Sequence, residues 1–500
     1  MVNTMDTRAN VSSFGSRSGP SSDRAVAWWR VAAAGLLCLV GTGAQAAWQF
    51  DPRVISEATY TDNLNLDSAP LAQGDTVLHL GPGFRLVGGT PRFHATANYE
   101  LNGYFYDRSG TSNQTVNTLD AAATGELVPE TFFIDVLGRA GRTVVNPEQP
   151  IATGDYYTGA NFTDFALWRA TPRLVHQFGG NVRTELAYEY GTIYYPDNLA
   201  GGTALPDLTT RDARLNIDRD GAAETYGWHV KYKRQEAEYS GIQPAVYSTA
   251  EASLELPVGQ RFWLLAVGGS ESDLRKSITS GSLDAPYWQG GIRWQPAANQ
   301  QLRVTSGKRF YGTSYSLDYS LTGRRLKTGV SYSEAPAAQG IELYVNQIFA
   351  ASPAQPLPGY TPQDHEVYLH KSASGWVTLT GARNEVTLEF LSDRRNYVFT
   401  SGSDYVLRGT LDWRYRIGPR THLDAHVGWD RLRYRAEDRV DNLKSFGVSI
   451  ERTLGRLLAI TVDYRYWRRD TDNGFAGGAV GTDFRENAIT VGLRYGRRAP

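Results

Sequence analysis

The stretch Asp404, Tyr405, Val406, Leu407, Arg408, Gly409, Thr410, Leu411, Asp412, Trp413, Arg414, Tyr415, Arg416, Ile417 separates into two sets when alternate residues are taken. The odd positions are apolar or aromatic. The even ones carry five charges and a threonine, with Val406 as the exception. Only a chain whose side chains point alternately to opposite faces keeps such sets apart, since a 3.6-residue period would mix them. The same split recurs in Val182 to Tyr190, Tyr226 to Lys233, Leu458 to Trp467 and Ile489 to Tyr495. No stretch after residue 46 reads as an amphipathic helix.

Composition narrows the kind of β protein. The 500 residues carry 51 basic and 52 acidic side chains, 41% hydrophobic residues and 12% aromatics, including 12 Trp, 29 Tyr and 18 Phe. A disordered chain lacks such a supply of rings, and a nucleic-acid binder shows a basic excess. Helical membrane spans need runs of about 20 apolar residues. The one apolar stretch here, Val31 to Gly43, is shorter, follows Arg24 and Arg30, and leads into Ala44-Gln45-Ala46, the small-x-small pattern cut by signal peptidase. Residues 1–46 therefore read as a secretory signal peptide and 47–500 as the mature chain. The single cysteine, Cys38, lies within the leader and lacks the small residues that precede a lipidated cysteine. An exported, cysteine-free, aromatic-rich chain whose apolar residues alternate with polar ones has the composition of a Gram-negative outer-membrane barrel.

Turn residues divide the pattern into segments of two kinds. Short ones include Gly88 to Pro91, Val128 to Glu130, Gly179 to Asn181, Pro257 to Gln260, Gln295 to Ala298, Gly323-Arg324, Gly381 to Asn384, Gly418-Pro419 and Leu454 to Arg456. Long ones include Asn63 to Asp75, Ser109 to Asn117, Asn146 to Gly159, Pro196 to Asp207, Asp273 to Pro286 and Thr471 to Phe484. Outer-membrane barrels have short periplasmic turns and long external loops, so alternation of the two kinds places both termini in the periplasm. A strand at Ile341 to Phe349 would break this parity. Taking Glu334 to His365, with its five prolines, as one external segment restores it and predicts a single antiparallel up-and-down transmembrane barrel of about 22 strands, within two, from about Phe50 to Tyr495.

A soluble β-sandwich or propeller also alternates, but its core favours Val, Ile and Leu. Here Tyr104/Tyr106, Tyr188/Tyr190/Tyr194/Tyr195 and Tyr464/Tyr466/Trp467 sit at strand ends, which predicts interfacial aromatic girdles. Asn487 to Tyr495 is similar to the C-terminal signal read by the barrel-assembly machinery, although Gly496 to Pro500 follow where a terminal Phe or Trp is usual.

Glu57-Ala58-Thr59-Tyr60-Thr61-Asp62-Asn63, followed by Leu80-Gly81-Pro82-Gly83-Phe84 and Tyr99-Glu100-Leu101, resembles the uncharacterised outer-membrane β-barrels associated with the PEP-CTERM/exosortase system. The resemblance runs from Trp48 to the end. It implies a bacterium that sorts proteins through exosortase and makes exopolysaccharide, and it brings no catalytic residues. Read physically, Tyr60 is a girdle residue and Asp62-Asn63 form a turn at the outer end of the first strand.

A barrel of this size has a lumen wide enough for solutes unless loops or a plug fill it. The first strand begins next to the predicted cleavage site, leaving no room for a plug domain, so passive diffusion or export with periplasmic components is expected rather than driven uptake. The segments 146–159 and 334–365 are long enough to fold inward and gate the pore. Predicted lumen-lining residues are Arg183, Arg303, Arg408, Asp412, Arg414, Arg416, Asp424, Asp463, Arg465 and Arg494. Arginine outnumbers lysine 44 to 7. Guanidinium groups on the inner face suit an anionic or uronic-acid polysaccharide, but barrel interiors are also lined by Arg and carboxylates that satisfy each other. His422, Asp424, His426 and Asp430 share that face in the spacing of a metal or acid/base pair, and Asp470, Asp472 and Asp483 resemble a faint Ca²⁺ loop. Neither completes a site alone, and polar lumen lining is the simpler reading. No cofactor, metal, nucleic acid or enzymatic activity is expected. The expected partners are outer-membrane lipid, the assembly machinery, exopolysaccharide and export components. Three functions stay open: a porin-like channel or export platform for polysaccharide or other solutes, a closed structural or adhesive barrel whose loops contact matrix, and a lumen enzyme acting on glycan or lipid.

Overall fold

A computed structural model describes residues 47–108, 110–144, 154–158, 161–179, 181–195, 206–219, 226–240, 244–276, 280–338, 367–397, 402–434, 439–473 and 483–496. The predicted leader 1–46 and the segment Ile341 to Phe349 lie outside the described residues.

The chain forms β1 (Ala47–Thr61), β2 (Asp75–Thr90), β3 (Phe93–Tyr106), β4 (Gln114–Val128), β5 (Phe132–Val144), β6 (Phe162–Phe178), β7 (Val182–Tyr194), β8 (Leu208–Arg219), β9 (Gly227–Tyr239), β10 (Ala245–Pro257) and β11 (Phe262–Lys276). It continues with β12 (Ser280–Ala297), β13 (Gln300–Arg309), β14 (Gly312–Thr322), β15 (Leu326–Ala338), β16 (Val367–Thr380), β17 (Asn384–Tyr397), β18 (Ser403–Gly418), β19 (Thr421–Tyr434), β20 (Arg439–Thr453), β21 (Leu458–Asn473) and β22 (Phe484–Tyr495). Each strand pairs with its neighbours in sequence, and β1 pairs antiparallel with β22 from Val54↔Tyr495 to Thr61↔Ala488, closing a 22-stranded barrel. Closure leaves no sheet edge to be satisfied by lipid.

Burial follows the alternation read from sequence. On β22, Ile489, Val491, Leu493 and Tyr495 are 44–49% exposed while Glu486 and Ala488 are buried. On β7, Leu186, Tyr188 and Tyr190 point outward and Ala187 and Glu189 inward. So many large apolar side chains cover a surface only if its solvent is hydrocarbon, and strands of 10–18 residues meet or exceed the 9–11 that a tilted strand needs to cross a bilayer. Aromatic pairs ring the end bearing the short turns, among them Phe262–Trp294 and Trp413–Tyr415, stacked at 5.9 and 5.8 Å. Tyr60 and the Trp168–Tyr190 pair lie toward the other end.

Several expectations change. Tyr104, Tyr195 and Trp467 are not girdle residues: they are 2–7% exposed, Tyr104 and Trp467 on the inward set of their strands and Tyr195 just past the end of β7. The segment predicted as loop 273–286 is mostly strand, because Leu274↔Leu283, Arg275↔Ser282 and Lys276↔Ser280 continue the β11–β12 ladder past a bulge. Glu334 to Ala338 likewise pair with Lys371 to Val367 and belong to β15, and Gln114 to Asn117 begin β4. The β13–β14 connection is only Phe310 and Tyr311 at the end where long loops gather.

The lumen is not uniform around the barrel. β11 and β16, five strands apart, bring Cα atoms within 8 Å of each other. The inward face of β11 carries Trp263, Leu265 and Val267, all buried. The half of the lumen along β17–β22 and β1–β3 holds a cavity among the described residues.

Candidate functional site

The opening of the open half is decided where β1 ends. Thr61, fully buried, donates its hydroxyl to Glu486 Oε1 of β22 at 2.9 Å. Asp62 accepts both the backbone N–H and the side-chain amide of Asn487, each at 2.7 Å. Asn63 donates to the carbonyls of Asp67 (2.7 Å) and Arg485 (3.0 Å) and accepts from the Asp67 N–H. The Tyr-Thr-Asp-Asn motif thus fastens the seam between the first and last strands and turns the following loop inward. Tyr60 alone of the four faces outward, 56% exposed. Of the other motif residues, Glu57 contacts His79 Nδ1 at 3.2 Å inside the lumen. Gly83 lies where any Cβ would collide with the Tyr99 carbonyl oxygen. The preceding Pro82 interrupts the β2–β3 ladder, which resumes in the same register at Gly83↔Glu100.

Once turned inward, the β1–β2 loop buries its apolar side chains. Leu64 packs with Val77, Tyr104 and Val116, and Leu66 with Val406, Leu432, Tyr434, Leu443, Trp467 and Phe484. Leu66 holds φ at +56°, a left-handed conformation that leucine avoids at a cost of about 1 kcal/mol or more. Burying its side chain returns about 2 kcal/mol.

A second loop meets the first. The described residues Gly154 to Thr158, between β5 and β6, carry Tyr156 and Tyr157 into the same apolar clusters. Tyr157 donates to Glu486 Oε2 at 2.7 Å and Tyr156 to Oε1 at 3.1 Å. Arg465 of β21 donates to both tyrosine hydroxyls, at 2.6 Å to Tyr157, and lies 3.4 Å from Glu486. Tyr106 donates to the Tyr156 carbonyl at 2.7 Å, and Thr158 to the Asn65 side chain. Burial pushes the phenols of Tyr156 and Tyr157 above their ordinary range, so both remain donors. Glu486, fully buried, is the acceptor on which β1, β21, β22 and this loop converge.

Beneath these loops lies a cavity of about 1170 Å³. Six of the ten residues predicted to line the lumen border it: Arg408, Asp412, Arg414, Asp424, Asp463 and Arg465. They form a ladder of cross-strand pairs, Arg408–Asp430 at 2.7 Å, Arg414–Asp424 at 2.6 Å and His426–Asp412 at 2.8 Å. The other four face the lumen elsewhere. Arg183 pairs with Glu185, Arg303 with Glu255 and Arg494 with Glu451, while Arg416 stands opposite His422 in register near the short turns.

The sign of the lining differs from what the arginine excess suggested. Carboxylates of Glu57, Asp155, Glu385, Glu389, Asp412, Asp424, Asp430 and Asp463 border the cavity, against guanidinium groups of Arg408, Arg414 and Arg465 only. Several other arginines are engaged elsewhere: Arg293 and Arg303 grip Glu255, and Arg309 grips Glu271. Among the described residues, no group of three or more His, Cys, Asp or Glu is placed to hold a metal ion. Asp424, His426 and Asp430 each have a cross-strand partner. Asp470 pairs with Arg468, and Asp483 accepts the Thr471 N–H. Sequence reading missed Glu486, Tyr156 and Tyr157. The available signal was a lone carboxylate on the inward set of the last strand and two adjacent tyrosines inside a glycine-flanked loop.

No family model matches the chain, and no curated protein matches it in sequence. Solved structures do match in fold. The FrpB iron transporter from Neisseria meningitidis (F3-3 variant) aligns over 93% of this chain and 83% of its own, with a TM-score of 0.50 and 10% identity. The apoprotein form of its F5-1 variant gives 0.51 at 10% identity over 89% and 81%. A mutant of the ferric enterobactin receptor PfeA from Pseudomonas aeruginosa gives 0.50 at 10% identity over 91% and 81%. At such identities the likeness is one of fold: a large closed barrel of the outer-membrane type.

Proposed function

We propose that the protein is an outer-membrane conduit for polar solutes, with the open half of its lumen as the path and both termini in the periplasm. The single observation that carries this reading is the cavity of about 1170 Å³ beneath the inward loops, bordered by eight carboxylates and three guanidinium groups. Water-filled space lined by paired and surplus charges costs a barrel nothing when it conducts, whereas a purely structural barrel gains by filling its lumen with apolar side chains, as the β11 strip does.

The resemblance of Glu57 to Asn63 and of Pro82-Gly83 to the barrels of exopolysaccharide loci supports a place in the PEP-CTERM/exosortase setting, with exopolysaccharide or its building blocks as cargo and periplasmic export components as partners. The surplus of carboxylates supports neutral or amine-bearing cargo over uronic acids. The iron and siderophore ligands of the structural neighbours are not carried over, since only the fold is shared.

The test is single-channel recording of the protein in planar bilayers, with heat-modifiable migration on a gel as the check of folding. Discrete conductance with long closures is expected, blocked by cationic and not by anionic oligosaccharides. Silence from a folded barrel, persisting when the loops are released as described below, would replace the conduit by a structural or adhesive barrel.

A further inference from the structure

The polar knot at the top of the cavity does more than fill space. The geometry points to a latch: Glu486 and Arg465 hold the loop bearing Tyr156 and Tyr157 across the lumen, so that the two inward loops form a gate over the conduit proposed above, on which this inference rests.

Three observations carry it. First, the loop is pinned by its side-chain hydroxyls to the wall strands β21 and β22, far along the chain, and not merely by contacts within itself. Second, the attachment is divided chemically. An apolar seat of Leu66, Trp467 and Phe484 gives area without direction, while the hydroxyl bonds to Glu486 fix one docked position. Hydrogen bonds to a buried charge are the stronger kind, and their donors, on the described residues Gly154 to Thr158, take no part in a strand ladder. Third, the same carboxylate receives Thr61 from the seam that turns the other loop inward. Release of one loop therefore removes a wall of the seat that holds the other. Tyr156 belongs to both apolar clusters and joins them.

Two variants separate the latch from the seam. Tyr156→Phe with Tyr157→Phe removes only the loop's hydroxyls, keeping the rings and leaving Glu486 bound by Thr61 and Arg465. Glu486→Gln weakens all the bonds at once and serves as the second variant, with heat-modifiable migration showing that each barrel has closed. A spin label at Thr158→Cys, in a Cys38→Ser background, reports whether the loop is docked.

The double tyrosine variant is expected to mobilise the label and to raise time-averaged conductance at least about tenfold, the effect of losing two hydrogen bonds to a charged acceptor. Glu486→Gln is expected to do the same or more. An immobile label with unchanged conductance overturns the latch. A freed label with conductance present but equal to wild type overturns its role as a gate. A freed label on a barrel that never conducts upholds the latch and overturns the conduit beneath it, so the two failures are told apart.

Discussion

The two halves of the lumen handle charge in opposite ways. In the narrow half, Glu255 is 5% exposed and held by Arg293 at 3.1 Å and Arg303 at 2.9 Å, and Arg293 lies over the Trp263 ring at 4.2 Å. In the open half, the Arg414–Asp424 pair has side chains 65% and 40% exposed, and eight carboxylates face three guanidiniums. Near β11, one buried carboxylate is shared by two guanidinium groups. The charges along β18 and β19 pair across strands yet include widely exposed groups and are present in unequal numbers, which is what a path for solutes requires.

The largest test of this contrast is stability. Glu255→Ala removes the buried carboxylate shared by two partly buried guanidinium groups and is expected to cost about 3 kcal/mol, since breaking a buried pair leaves an uncompensated charge. Asp412→Ala removes a partner of His426 at an exposed site and is expected to cost less than about 1 kcal/mol. Urea unfolding in lipid bilayers measures both, and equal losses would erase the distinction between the halves.

Selectivity comes next in size. The open half is expected to pass potassium over chloride by several-fold, because like-signed rings of side chains set ion preference in a pore. Neutralising Glu385 and Glu389 together as Gln should bring the ratio down toward about two, while Glu251→Gln, whose carboxylate takes the Tyr287 hydroxyl in the narrow half, should leave it unchanged. Reversal potentials in a salt gradient decide. Anion preference in the wild type would assign the path to the arginines after all.

The same contrast explains what the sequence disclosed. Strand alternation and the parity of short and long connections were legible because lipid, a uniform solvent, imposes one rule on every outward residue, as in Tyr405 to Ile417. The inward residues obey no single rule. Trp467 and Tyr104 look like girdle aromatics, and only their place in the ladder shows that they seat a loop. Arg303 and Arg408 look alike as lumen arginines. Yet one shares Glu255 with another arginine, and the other borders open space. That depends on β11 approaching β16, a contact that no periodicity encodes. Tyr156 and Tyr157 were legible only as part of a loop of gating length, because their partner Glu486 lies some 330 positions later.

The smallest effect expected is on pH, and it tests whether the inward loop belongs to the wet half or the dry one. Asp155, beside the two tyrosines, borders the cavity. Burial raises its carboxyl above the ordinary range, with Arg142 and His79 opposing the rise and Asp164 adding to it. A carboxyl whose pKa is raised on docking binds its proton more tightly when docked. Its contribution to closure is therefore complete below the ordinary value of about 3.9 and is lost as pH rises through the raised one. Closure should deepen on acidification across that window, changing open probability about two- to five-fold, a fraction of the tenfold that one pKa unit carries. Asp155→Asn should hold the gate near its acid behaviour at every pH. A pH response that survives this substitution would move the titrating group to His79 or to the carboxylates of the cavity wall, and would make the loop a passenger of the open half.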